Sequence, residues 1–195
     1  MKRYVGEGAV VVLTEVEKKA LIDIVKSTIE CKLTGKNIPE FHIDSEILKE
    51  KRGAFVTLKK RGHLRGCIGY IEARKALYKT VAEMAIAAAF NDPRFPPLSA
   101  DEVKDVTLEI SVLSPLKEIR DIKEIEVGVH GLYITKGFHS GLLLPQVAAE
   151  HKWDKLTFLE ETCYKAGLHP DAWKDNDTKI FIFSADIFDQ HSLIS

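Results

Sequence analysis

The stretch GAFVTLKKRGHLRGCIGYI, residues 53–71, constrains the fold more than any other part of the chain. Phe55 and Thr57 alternate with Val56 and Leu58, which is the period of a strand filling two faces. KRGH is a polar, glycine-containing tip, and LRGCIGYI returns as a second strand, so the stretch predicts a β-hairpin. Strong helical patterns lie on both sides of it. In TEVEKKALIDIVKSTIECKLTG, Thr14 and Glu17 have capping-box spacing. Val16, Ala20, Leu21, Ile24, Val25, Thr28 and Ile29 then share a face, and Gly35 is a suitable stop. In KALYKTVAEMAIAAAFND, Leu77, Val81, Met84, Ala85 and Ala88 share a face, and the alanines allow another element to approach closely. A hairpin between two helices does not fit a regular strand–helix alternation. It points to an α+β fold with a mainly antiparallel sheet and flanking helices.

The remaining segments agree. A loop with Pro39 precedes a short helix near DSEILKEK. DPRFPPLS must be irregular, because Pro93, Pro96 and Pro97 exclude helix and central strand. Ser99 and Glu102 box a short helix, ADEVKD. Val106, Leu108, Ile110 and Val112 alternate as on a half-buried strand. VGVHGLYITKGFHSGLLLPQVAAEHKWD reads as strand, turn, strand and helix, with Pro145 in a first helical turn. Asp154 caps the helix KLTFLEETCYKAGL, whose Leu156, Leu159, Cys163 and Ala166 form a core stripe. TKIFIFSADIF predicts one final strand.

Length and charge narrow the function classes. The chain has 195 residues with a 45% hydrophobic fraction, which suits one domain or one domain with a smaller lobe. The net charge is -1, so whole-molecule attraction to nucleic acid or to an anionic membrane is not supported. Cys31, Cys67 and Cys163 are too scattered for a disulfide framework or a zinc ribbon, which favours a reducing cytosol. No leader pattern opens the chain, and no apolar run approaches the ~20 residues of a membrane helix. The expectation is a soluble cytoplasmic protein. HExxH, CxxC, GxGxxG and GxxxxGK[ST] patterns do not occur, so neither a metal nor a nucleotide cofactor is indicated.

Chemistry concentrates around Cys67. Thiolate is the reactive form of cysteine, and neighbouring cations favour it. Arg65, two positions away on a strand, shares the face of Cys67, and His63 does so if no bulge intervenes. Gly66 and Gly69 offer backbone N–H groups to an anionic or carbonyl oxygen. Three roles stay open for this motif: catalysis, non-covalent binding, or a small buried cysteine in a tight hairpin. His130, in GVHGL, is the best distant base for Cys67, against the plainer role of a turn histidine with one satisfied nitrogen. Glu109 lies on the strand face opposite Leu108 and Ile110, where it is solvated unless that face lines a site. Arg94 is a candidate clamp for a carboxylate or phosphate, whereas Phe95 is expected in the core. Lys49, Lys51, Arg52, Lys59, Lys60, Arg61 and Arg65 form a locally basic run that could touch RNA, although such runs are usually solvated faces.

Four ordered stretches carry a family resemblance: LRGCIGYI, DPRFPPLS, VGVHGLYI and LLLPQVAAEHKWD, the last followed by FLEETCYKAGL. Together they resemble the AMMECR family, whose signature is LRGCIG and whose prokaryotic members form system A of the AmmeMemoRadiSam set. The resemblance spans nearly the whole chain. It implies a single AMMECR-type domain over residues 1–195, built as a larger and a smaller lobe, in a cytoplasmic protein. It also implies partnership with Memo-type and radical-SAM proteins. It assigns no reaction, so the candidate enzyme is defined by chemistry alone: Cys67, His130 and Glu109 as catalytic groups, and Arg65, Gly66, Gly69, His63 and Arg94 around a small anionic or carbonyl-bearing substrate. The alternative is an RNA- or protein-binding module.

Overall fold

A computed structural model describes residues 12–192, so the N-terminal stretch read for a leader lies, through residue 11, outside them. The described chain divides into two compact units, one formed by 12–113 with 186–192 and the other by Ser114–Ala185.

The first unit opens with α1 (Glu15–Thr34). Its capping box forms: the Glu17 N–H donates to Thr14 Oγ1 at 3.3 Å, and the Thr14 N–H donates to Glu17 Oε2 at 2.7 Å. Gly35 closes the helix with φ +67, a conformation that glycine adopts without steric cost. Leu21, Ile24, Val25, Thr28 and Ile29 are buried as expected. Val16 is not, at 79% exposure. It lies in the first turn, and periodicity marks the direction of a face but not the length over which a partner covers it.

After α2 (Glu46–Lys49) come β1 (Ala54–Lys60), β2 (His63–Tyr70), α3 (Leu77–Phe90) and β3 (Val106–Leu113). The hairpin turns through Arg61 and Gly62, both at positive φ, as a two-residue turn of matching twist requires. The segment expected to be one final strand is two. β7 (Lys179–Phe183) ends at Ser184, and β8 (Ala185–Asp189) joins the sheet of the first unit, ordered β2-β1-β3-β8. Strand bias alone does not tell which sheet a strand joins. α3 packs on β1 and β2, and α1 packs on α3. Ala54, Val56, Leu58, Leu108, Ile110 and Val112 fill the core, so Phe55, Thr57, Lys59, Thr107 and Glu109 face the other way.

In the second unit, β4 (Lys117–Ile119), β5 (Gly131–Lys136), β6 (His139–Leu143) and β7 pair antiparallel in the order β4-β7-β5-β6. α4 (Pro145–Glu150) carries its proline in the first turn. α5 (Lys155–Lys165) is capped by Asp154, whose Oδ1 accepts from the Thr157 N–H at 2.8 Å. Leu159, Cys163 and Ala166 are buried, while Leu156, expected in the same stripe, is 48% exposed. Both units are mixed helix and antiparallel sheet, so the fold is α+β. Among the described residues no helix is long and apolar enough to cross a membrane.

Candidate functional site

Cys67, Thr57 and Glu109 form one row across three adjacent strands. Thr57 pairs with Cys67 of β2 on one side and with Glu109 of β3 on the other. In-register neighbours project to the same face, so sulfur, hydroxyl and carboxylate lie side by side. Thr57 Oγ1 donates to Cys67 Sγ at 3.3 Å. Lys59 Nζ holds Glu109 Oε2 at 2.8 Å. Thr57 is buried at 7% exposure, and Cys67 and Glu109 are half-buried.

β2 is an edge strand, with an outer row of main-chain groups needing partners. At Cys67 the DPRF loop supplies them. The Cys67 N–H donates to Asp92 Oδ2 at 2.9 Å, and Arg94 donates to the Cys67 carbonyl at 3.0 Å. Arg94 also forks onto Asp92, at 2.9 Å to Oδ1 and 2.7 Å to Oδ2. The guanidinium, with help from the Cys67 and Arg94 N–H groups, holds the Asp92 carboxyl well below the usual carboxylate range. Arg94 is thus committed to an internal clamp, although its side chain stays half exposed. Phe95, expected in the core, is half-buried, with Arg65 6.0 Å and Arg94 5.5 Å from its ring centroid.

The bulge that decides the positions of His63 and Arg65 is present. Leu58 pairs with Gly66 and Lys59 with Leu64, so Arg65 is the inserted residue. The shift puts Leu64 on the face of Cys67 and the exposed His63 on the opposite one. Arg65 is buried at 8% exposure and forks onto Glu102, at 3.2 and 2.9 Å. Arg65 first, then Lys60, holds the Glu102 carboxyl well below its ordinary range.

Both glycines have steric reasons. A Cβ on Gly66 would lie 2.1 Å from the Ala88 carbonyl oxygen of α3, and one on Gly69 would lie 2.3 Å from the Phe55 ring. The cysteine therefore sits where a helix and an aromatic ring press on the strand.

His130 belongs to the other unit. Its Nδ1 accepts the Glu126 N–H at 3.1 Å, as in a turn histidine, and burial pushes its pKa down. The basic run is largely neutralised: Lys49 faces Glu46, Arg52 faces Glu50, Lys59 faces Glu109, Lys60 and Arg65 face Glu102, and Arg61 faces Asp105. Among the described residues no group of three or more His, Cys, Asp or Glu is placed to hold a metal ion.

Sequence reasoning missed Thr57 and understated Asp92 and Glu102. Thr57 lies on a predicted strand, but only the register places it between Cys67 and Glu109. Asp92 and Glu102 lie 25 and 37 residues from their partners Cys67 and Arg65, a separation no local pattern bridges.

Comparison with known proteins agrees with the motifs. The family model described as AMMECR1 matches residues 22–188. A protein of Methanothermobacter thermautotrophicus is 44% identical over 183 residues, covering 90% of this chain and 95% of its own. A Pyrococcus furiosus protein is 45% identical over 182 residues, covering 87% and 86%. The crystal structure of an uncharacterised protein from Pyrococcus horikoshii superposes with a TM-score of 0.84 at 40% identity, covering 91% of this chain and 93% of that one. The chain belongs to the AMMECR1 family.

Proposed function

We propose that the chain is a cysteine-dependent enzyme acting on a small carbonyl-bearing or anionic substrate at the Cys67–Thr57–Glu109 row. The observation that carries this reading is the hydroxyl aimed at the sulfur, with a carboxylate next in line. Hydrogen bonds to a charged acceptor are the stronger ones, so the Thr57 hydroxyl is placed to support the negative charge that sulfur carries during attack. In the proposed step Cys67 sulfur bonds to the carbonyl carbon and the C=O π pair moves onto oxygen. The thiol proton leaves through solvent to Glu109, beside Lys59, while the Thr57 hydroxyl keeps donating to the sulfur. Gly69 alternates with Ile68 along the ladder, so its N–H points to the same outer edge as that of Cys67 and can receive the oxyanion.

Iodoacetamide labelling tests this. Cys31 and Cys67 are both half-buried, so a difference between them reports environment, not access. Cys67 should label much faster than Cys31 near neutral pH, and the buried Cys163 slowest. Equal rates at Cys31 and Cys67 would count against the enzyme.

Internal packing accounts for Gly66 and Gly69 without a substrate, which leaves room for a second reading, a binding module for a protein partner such as the Memo-type or radical-SAM proteins suggested by the family resemblance. Under that reading Cys67→Ser leaves cellular activity intact.

A further inference from the structure

A second concave feature lies on the core side of the sheet in the first unit. There the C-terminal half of α1 and the segment leading into β3 leave a cleft of about 530 Å³. That volume is in the range of small-molecule pockets, roughly 300–1,000 Å³. Ile29 and Leu33 line it from α1; Leu98, Val103, Val106 and Leu108 line it from the other wall. The wall is continuous with the hydrophobic core: Ile29, Leu98 and Leu108 are at most 5% exposed. Val103 keeps 43% of its surface in solvent, a cost that an apolar occupant would relieve.

The charges around this cleft select the occupant. Lys26 comes from α1 and Lys104 from the facing segment. Among the described residues neither is in an ion pair, unlike most of the basic residues around the hairpin. Glu30, one helical turn after Lys26, is the third charged lining residue. Two cations against one anion leave a single positive charge, which a monoanion neutralises.

We propose that this cleft binds a medium-chain carboxylate. Its alkyl chain lies along Ile29, Leu33, Leu98 and Val103, and its carboxylate lies between Lys26 and Lys104.

Calorimetry and amide NMR on the full-length protein with decanoate, below its micelle concentration, test the proposal. Saturable binding is expected, with shifts centred on Leu33, Val103 and Leu108. Octanoate, shorter by two methylenes, should bind roughly tenfold more weakly. The Lys26→Gln/Lys104→Gln variant changes only exposed side chains, so it should keep the wild-type Tm yet bind decanoate about threefold or more weakly. Decyltrimethylammonium, with a similar tail and the opposite charge, should bind less well than decanoate. Equal binding of the two, shifts scattered over the surface, or no saturable binding would overturn the proposal. Cys67→Ser should leave decanoate affinity unchanged, which separates this site from the thiol.

Discussion

The carboxylate of Asp92 accepts the main-chain N–H of Cys67 at 2.9 Å and presents its other face to Arg94, which returns to the carbonyl of the same cysteine. Cys67 is therefore held by its backbone from outside the sheet, while its side chain remains on the face with Thr57 and Glu109. An edge strand that would otherwise fray at this position is closed by a loop whose prolines limit its freedom.

Removing that acceptor should be costly. Asp92→Ala leaves the half-buried Cys67 N–H without a partner and is expected to lower stability by about 2 kcal/mol. Asp92→Asn keeps an acceptor oxygen and should lose roughly half as much. Urea denaturation midpoints measure both. Equal, near-zero effects would mean that the clamp contributes nothing to holding β2.

The same group predicts the acid limb of stability. In the folded protein Asp92, through Arg94, and Glu102, through Arg65 and then Lys60, both titrate below their ordinary values. A carboxyl with a lowered folded pKa stabilises the protein above its unfolded pKa, about 4. That stability is lost as pH falls through the unfolded value toward the folded one. Wild-type stability should accordingly hold above about pH 5 and drop steeply below about pH 4. Asp92→Asn and Glu102→Gln should be less stable at neutral pH but flatter across the acid range. Denaturation curves that run parallel to wild type would show that these pairs do not govern the acid limb.

Thr57→Val preserves shape and removes the hydroxyl. If the hydrogen bond to sulfur activates Cys67, its iodoacetamide rate should fall about threefold to tenfold while that of Cys31 stays constant. An unchanged ratio would make the contact incidental.

Gly66→Ala and Gly62→Ala separate two uses of glycine. At Gly66 the new methyl group meets the backbone of α3, which must move, for about 2–3 kcal/mol. At Gly62 nothing lies within 4 Å, and the cost is that of φ +81 alone, about 1 kcal/mol. Chemical denaturation that ranks Gly62→Ala as the worse change would contradict the close approach of Ala88.

Much of this was legible in the residue order, and what was missed has common causes. The Thr14–Glu17 capping box, Pro145, the Asp154 cap and the burial of Cys163 depend on residues within a turn or two of each other, where spacing defines geometry. Val16 and Leu156 fit their helical stripes yet are exposed, because a stripe says nothing about how far a partner extends. The expected alliance of Arg65 with Cys67 assumed an unbroken strand period. One bulge residue moved His63 to the other face, and the Arg65 guanidinium is paired with Glu102.

The α+β class, the hairpin around Cys67, the principal helices and the family are all readable in the residue order, since each is written in local periodicity or in a contiguous motif. That Thr57 and Glu109 stand in line with the sulfur, that Asp92 and Arg94 grip its backbone, and that TKIFIFSADIF divides between two sheets emerges once distant segments pack together. Register and long-range hydrogen bonds depend on which segments meet, and that choice is made by burial summed over the whole chain, not by any stretch alone.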